Sequence, residues 1–130
     1  MPSSPETEAT RAIEDYMRAL NNRDDSHLLD LLHLPHIRIS GAGVKIYTSR
    51  KQLEEEYLAE FYERAGTEWD HTDLDSVEVL HISEQKVHLF IQWTRRRNDE
   101  TAITTQQALW VMTEIDGIWG AQARSSFAPA

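Results

Sequence analysis

The second half of the chain is a series of extended segments joined by very short turns, and this feature restricts the fold most. Apolar and polar side chains alternate from Val87 to Trp93, which is typical of a strand with one buried face. Asp116-Gly117 is a tight-turn signal. Short turns between long strands predict an antiparallel meander. The predicted strands are 69–82, 86–97, 101–114 and 118–127.

The first half of the chain is predicted to be mainly helical. Apolar residues recur at spacings of three and four between Ala9 and Leu20, which places them on one face of a helix. Asp24 precedes a leucine-rich stretch and offers a capping oxygen to a second helix. A capping-box pattern at Ser49 predicts the start of a third helix, which we expect to end at Gly66.

These elements together predict an α+β domain, in which three helices cover one face of a strongly curved, mostly antiparallel sheet. A short hairpin, 36–40 with 44–47, separates the second and third helices, and Pro35 is expected to end the second one. A curved sheet covered in this way encloses a central pocket. We expect one domain over residues 1–130, with frayed ends at 1–5 and 128–130.

The composition excludes several classes of function. Asp and Glu number 22 against 13 Lys and Arg, which gives a net charge of −9 and argues against nucleic-acid binding. The absence of cysteine excludes disulfide scaffolds, thiolate nucleophiles and cysteine-based zinc sites. No apolar run is long enough to cross a bilayer, and no secretory signal is recognisable. We therefore expect a cytoplasmic protein without membrane or nucleic-acid partners.

Two groups of residues leave alternatives open. His33 and His36 could suggest a metal pair, but Pro35 breaks any helix between them and no zinc-binding spacing is present. We therefore expect no metal. Aromatic residues on a sheet either pack the core or line a site for an apolar ligand. This choice applies to one tryptophan in each predicted strand: Trp69, Trp93, Trp110 and Trp119.

Three stretches carry a resemblance to a known family. They are Tyr16-Met17-Arg18-Ala19-Leu20-Asn21-Asn22-Arg23-Asp24, Trp69-Asp70-His71-Thr72 and Asp116-Gly117-Ile118-Trp119-Gly120-Ala121-Gln122-Ala123-Arg124. With the order of elements, they resemble the nuclear-transport-factor-2-like superfamily, in its SnoaL-like and ketosteroid-isomerase-like branch. The resemblance implies a cone-shaped α+β barrel with a deep pocket and a homodimer formed through the sheet face. Members include isomerases, dehydratases and non-catalytic binding or dimerisation domains.

Two catalytic patterns of this superfamily are incomplete here. In the ketosteroid isomerase pattern, Tyr16 falls at the position of the oxyanion-hole tyrosine. However, Ser40 stands where the catalytic base is expected, and Ala108 lies near the position of the protonated acid. The epoxide hydrolase pattern requires two Asp residues flanking an Arg, and the predicted strands offer only Arg95 or Arg124.

A third pattern, found in scytalone dehydratase and hexachlorocyclohexane dehydrochlorinase, is better represented. By motif position, His71 resembles the strand base, Asp24 the residue that orients it and Arg124 the arginine of the final strand. A His held by a carboxylate suits proton abstraction near neutral pH, and an Arg can stabilise the resulting anion. The dehydrochlorinase also has a lysine on the first helix, where this chain has Ala19.

Two functions are therefore expected. The first is a cofactor-free lyase or isomerase acting on a small apolar substrate. It would use His71 as base, Asp24 as its orienting residue, Arg124 as anion stabiliser and Tyr16 as a hydrogen-bonding wall residue. The second is a non-catalytic ligand-binding or dimerisation module with the same pocket, which the missing lysine and carboxylates favour. Neither requires a cofactor.

Overall fold

The computed structural model describes residues 3–127, which form helices and one six-stranded sheet. The helical elements are α1 (Pro5–Asn21), α2 (Asp25–Asp30), α3 (Arg50–Gln52), a π-helical turn (Leu53–Tyr57) and α4 (Leu58–Ala65). The strands are β1 (Leu32–Ser40), β2 (Gly43–Tyr47), β3 (His71–Ile82), β4 (Lys86–Arg96), β5 (Ala102–Ile115) and β6 (Ile118–Ser126). No helix among these residues has the length and apolar character needed to span a membrane.

The sheet order is β2-β1-β6-β5-β4-β3. Strands β3 to β6 form the predicted antiparallel meander, and β1 joins it by pairing with β6 in parallel. The predicted α+β class with a mostly antiparallel sheet is confirmed. The prediction did not specify that the first and last strands of the chain are neighbours, which makes the sheet mixed.

Helix α1 begins earlier than predicted. The Ser4 hydroxyl caps the helix by accepting a hydrogen bond from the Thr7 backbone N–H at 3.3 Å. Pro5 occupies the first helical position, where its missing N–H costs nothing. Of the ends predicted to fray, residues 1–2 and 128–130 lie outside the described residues.

The third helical segment, residues 50–65, follows the prediction closely. Ser49 caps it through a bond from the Gln52 N–H to the Ser49 hydroxyl at 3.1 Å. Its apolar face is buried, with 1% of Leu53 and 4% of Phe61 exposed. The helix ends at Gly66, whose φ of +86° is a conformation that favours glycine.

Strand β1 is longer than the predicted segment 36–40. It begins at Leu32, so Pro35 lies within the strand rather than in a connecting loop. The pairing of β1 with β6 is irregular between Leu32 and Ile37. A proline has no N–H to donate to a sheet, and an irregular position of this kind tolerates it.

The core lies between the helices and one face of the sheet. Val87, Leu89 and Ile91 of β4 have no exposed surface, which confirms the predicted alternation. The apolar face of α1 packs on the same side, with Ile13 and Leu20 buried.

The tryptophans belong mainly to this core. Trp69 and Trp110 are buried, whereas Trp93 and Trp119 are partly buried and pack against the core residues. The prediction that the tryptophans pack the core is therefore confirmed, and Trp93 and Trp110 in addition border a cavity.

Candidate functional site

Two arginines lie side by side on the helix-covered face of the sheet. Arg38 of β1 is the register partner of Arg124 of β6, and Arg124 is in turn the partner of Trp110 on β5. Side chains at paired positions of neighbouring strands project from the same face. The sheet therefore brings two guanidinium groups and one indole ring together in a row.

Aromatic rings surround the Arg124 guanidinium. Its central carbon lies 5.4 Å from the ring centres of both Tyr57 and Trp110, which is within the range of cation–π contacts. Tyr57 comes from the π-helical turn and Tyr16 from α1, so the helices supply the rings and the sheet supplies the cation. The rings of Tyr16 and Trp110 meet edge to face at 5.1 Å.

Tyr16 and Tyr57 form a buried hydroxyl pair. Their oxygens lie 2.6 Å apart, and the two residues are only 3% and 1% exposed. Burial, and then the neighbouring Tyr57, raise the pKa of Tyr16 well above its ordinary value, so the hydroxyl keeps its proton. One hydroxyl proton makes the bond between the tyrosines, and the other remains available to a ligand oxygen.

Several guanidinium nitrogens at this site have no partner. Nε and Nη2 of Arg124 and Nε of Arg95 are inaccessible to solvent and make no hydrogen bond within the described part of the chain. A buried donor without an acceptor costs about 1–3 kcal/mol, and more when the group is charged. These nitrogens can donate to a hydrogen-bond acceptor, and the charge of arginine favours an anionic one.

Two small cavities meet at these arginines, and each measures about 20 Å³, enough for about one water molecule. Arg95, Arg124 and Trp93 line both of them. The arginine cavity is the one further lined by Arg38, Arg64 and Ser126. The aromatic cavity is the one further lined by Tyr16, Phe61, Thr72 and Trp110.

The arginines of this site are charged but lack carboxylate partners. Burial, followed by the charges of neighbouring arginines, lowers the pKa of both Arg38 and Arg95 to about 10. The pKa of Arg64 is lowered by burial and then by Arg124. A pKa of about 10 leaves the group protonated at neutral pH. Among residues 3–127, every ion pair involves side chains other than these four.

The predicted site residues fall into two groups. Tyr16 and Arg124 lie together at the aromatic cavity. Asp24 caps α2, accepting a hydrogen bond from the His27 N–H at 3.4 Å. His71 bonds through Nδ1 to Asp70 at 2.8 Å. Among the described residues, no hydrogen bond or ion pair joins Asp24 to His71.

His71 also faces away from the cavities. Its neighbour Thr72 is buried and lines the aromatic cavity, and successive residues of a strand point to opposite faces. The His71 Nε2 atom lies 3.3 Å from Glu100 and 3.8 Å from Asp73. The hydrogen bond that His71 donates to Asp70, with the charges of Glu100 and Asp73, raises the pKa of His71.

The two histidines that could have suggested a metal pair have separate partners. His36 is fully buried and its Nδ1 donates to the Ala121 carbonyl at 3.0 Å, whereas His33 Nδ1 lies 2.9 Å from the Thr113 hydroxyl. Burial, and then the charge of Arg124, lower the pKa of His36 to about 3. His36 is therefore neutral at pH 7, and its Nε2 has no partner among the described residues.

Of the four arginines that line these cavities, only Arg124 was predicted from the sequence as a site residue. In the run of three arginines at 95–97, Arg96 and Arg97 pair at the surface with Asp73 and Glu68. Arg95 instead lies on the buried side of β4. The signal was available, because the alternation that begins at Val87 continues through Trp93 to Arg95.

Comparisons with known proteins agree with this architecture. A family model described as NTF2-like protein (DUF6841) matches residues 6–121, whereas no curated protein matches the sequence.

Solved structures share the fold at low sequence identity. The chain is similar to an NTF-2 like protein of unknown function from Shewanella oneidensis MR-1, with a TM-score of 0.72, 15% identity and coverage of 95% of this chain and 99% of that chain. A protein from Catenulispora acidiphila in complex with S-DNPA is similar with a TM-score of 0.71 and 17% identity, covering 94% of this chain and 91% of that chain. A Nostoc punctiforme protein of unknown function with a cystatin-like fold is similar with a TM-score of 0.74 and 10% identity, covering 94% of this chain and 89% of that chain.

The superfamily predicted from the sequence is thus confirmed. The family model covers most of the chain, and the structural likenesses establish the same fold independently. The protein belongs to the NTF2-like family DUF6841.

Proposed function

We propose that this protein binds a small organic anion between its helices and sheet, with the acidic group held by Arg124 and Arg95. The observation that carries the proposal is the set of unpartnered, solvent-inaccessible guanidinium nitrogens on these two residues. A buried cation without a counter-ion is costly, and an anionic ligand removes that cost. The complex of one structural neighbour with S-DNPA is consistent with ligand binding on this fold.

The identity of the free nitrogens fits a carboxylate. Nε and Nη2 of Arg124 lie on the same edge of the planar guanidinium, and both lack partners. This edge can donate two parallel hydrogen bonds to the two oxygens of a carboxylate or a similar oxyanion. The spare proton of the Tyr16–Tyr57 pair supplies a further donor nearby.

The surroundings of Arg124 suggest the rest of the ligand. Phe61, Trp93 and Trp110 line the aromatic cavity, which favours an apolar or aromatic body attached to the acid. The small apolar ligand expected from the sequence thus becomes an amphipathic one.

Calorimetric titration with matched probes tests this proposal. Phenylacetate and its neutral counterpart phenylethanol share an aromatic body and differ in charge. We expect wild-type protein to bind phenylacetate in preference to phenylethanol. The Arg124→Gln variant should have an affinity for phenylacetate lower by at least about tenfold, or ~1.4 kcal/mol. Arg11→Gln, on the exposed face of α1, is the control. Equal binding of the two probes, or full affinity in Arg124→Gln, would contradict the proposal.

A second candidate function is a cofactor-free lyase or isomerase of the SnoaL-like kind. The observation that favours it is the Tyr16–Tyr57 hydroxyl pair next to Arg124, since preorganised donors stabilise a developing oxyanion. In this proposal Arg124 and Tyr16 keep the roles expected from the sequence. The base that the resemblance implies is His71, with Asp24 as its orienting residue.

Proton exchange separates these possibilities. Phenylpyruvate carries an acid, an aromatic ring and exchangeable benzylic protons, so NMR in D₂O can follow their loss. We expect wild-type protein to accelerate the exchange over buffer and His71→Ala to abolish the acceleration. Acceleration that persists in His71→Ala would exclude His71 as the base. Binding of phenylpyruvate without accelerated exchange in any variant would leave the non-catalytic binding module as the function.

We also propose the homodimer through the sheet face and the cytoplasmic location that the sequence suggested. The homodimer rests on the resemblance to the superfamily. Light scattering coupled to size exclusion tests it, since a dimer has twice the chain mass of 15.0 kDa. A monomer mass at micromolar concentration would refute it.

A further inference from the structure

The arginine cavity contains more positive charge than one carboxylate can neutralise. Four guanidinium groups line it, from Arg38, Arg64, Arg95 and Arg124, and its described lining includes no acidic residue. A single carboxylate on Arg124 would leave three of these charges without a counter-ion. This step rests on the proposed binding of an organic anion at the same site.

The arginines also repel one another. After burial, the charges of Arg64 and Arg124 lower the pKa of both Arg38 and Arg95. Mutual repulsion of this kind makes the free protein less stable and increases its affinity for a ligand of opposite charge. The gain grows with the charge of the ligand.

The positions of the four groups indicate where a second negative charge would lie. Arg95 and Arg124 line both cavities, whereas Arg38 and Arg64 line only the arginine cavity. Arg38 belongs to β1, next to Arg124 in the sheet, and Arg64 belongs to α4. These two side chains therefore approach the arginine cavity from the sheet and from the helical layer.

We propose that the physiological ligand is a compact dianionic acid, with its second negative charge held between Arg38 and Arg64. The recognised chemistry is the presence of two negative charges close to an apolar body. A dicarboxylate and a phosphate monoester both supply it. In either case Arg124 and Arg95 hold the first anionic oxygens, and the body lies toward Trp93 and Trp110.

Calorimetry with three aromatic probes at pH 8 tests the proposal. Benzoate carries one negative charge, whereas phthalate and phenyl phosphate carry two. We expect at least one dianion to bind wild-type protein about tenfold or more tightly than benzoate. The dianion that binds better distinguishes the dicarboxylate from the phosphate source. Arg64→Gln should reduce this preference to under about threefold, and Arg97→Gln, at the surface pair with Glu68, should preserve it.

A measurement without any variant guards against misfolding of the arginine mutants. Phenyl phosphate takes its second charge near pH 6, whereas benzoate keeps one charge throughout. We expect the affinity of wild-type protein for phenyl phosphate, relative to benzoate, to rise between about pH 5 and 7.5. A ratio that stays constant over this range would overturn the dianion proposal.

The same experiments distinguish an error in the dianion proposal from an error in the proposed anion binding. If benzoate binds as tightly as both dianions, and Arg124→Gln weakens the binding of all three probes, the proposed anion site is supported and the dianion proposal is wrong. If Arg124→Gln weakens none of the probes, both proposals are wrong.

Discussion

Arg38 and Arg124 are register partners in the parallel pairing of β1 with β6, which places two like charges side by side on a largely buried sheet face. Like charges at opposed positions of a sheet are destabilising, and neither guanidinium forms an ion pair with any residue in 3–127. The anion proposed to bind at this site would offset this cost, and its binding would then be coupled to the stability of the fold.

Replacing Arg124 by Met should stabilise the ligand-free protein. The change removes a charge whose Nε and Nη2 are buried without partners, and an apolar side chain of similar length fills the space. Replacing buried ionic groups by apolar side chains of similar volume is often neutral or stabilises the fold by about 1–4 kcal/mol. The free energy of unfolding in urea measures the effect. Arg11→Met on the exposed face of α1 should change it by less than about 0.5 kcal/mol, and a less stable Arg124→Met protein would contradict the prediction.

Tyr16→Phe should destabilise the protein by about 1–3 kcal/mol, because it leaves the buried Tyr57 hydroxyl without its partner. Tyr57→Phe should cost a similar amount, since the 2.6 Å hydrogen bond joins the two residues. The double variant should cost less than the sum of the single ones, because the bond can be lost only once. A double-mutant cycle in urea measures this coupling, and strictly additive losses would show that the pair does not form.

His36 should make the protein sensitive to acid. Burial lowers its pKa in the folded state to about 3, below the value near 6.5 of an unfolded chain. Its contribution to stability is complete above pH 6.5 and is lost as the pH falls toward 3. The loss amounts to about 2 kcal/mol between pH 7 and pH 5. The pH dependence of urea unfolding measures it.

His36→Asn is the matched variant, because the Asn side-chain amide can replace the Nδ1 donor to the Ala121 carbonyl. The variant should lose the part of the acid sensitivity that His36 causes. An unchanged slope of stability against pH in His36→Asn would refute this assignment.

His71, unlike His36, should stabilise the protein at low pH and lose this effect as the pH rises. The hydrogen bond to Asp70, with Glu100 and Asp73 nearby, raises its pKa above the unfolded value. Its stabilising contribution is therefore complete below about pH 6.5 and is lost as the pH rises through the folded pKa. NMR titration of the imidazole should show the raised pKa, and Asp70→Asn should lower it. An imidazole that titrates at the same pH in both proteins would contradict this prediction.

Local sequence signals predicted much of the fold. The alternation in β4, the capping of the third helix by Ser49 and its end at Gly66 depend on neighbouring residues only. The pairing of β1 with β6 joins residues more than 80 positions apart in the chain. No local pattern specifies it, because the free energy comes from burying two distant faces together.

The site residues, too, were predicted only in part from the sequence. Motif position was sufficient to select Tyr16 and Arg124, and the structure brings both to the aromatic cavity. Asp24 and His71 were chosen in the same way, but the structure gives them other partners. The sequence by itself determined the helix faces and the strand alternation, because these follow from short-range periodicity. It also indicated the superfamily, through the resemblance of three short motifs. Only the tertiary structure decided that four arginines from separate elements share one cavity, since that depends on strand order and helix docking.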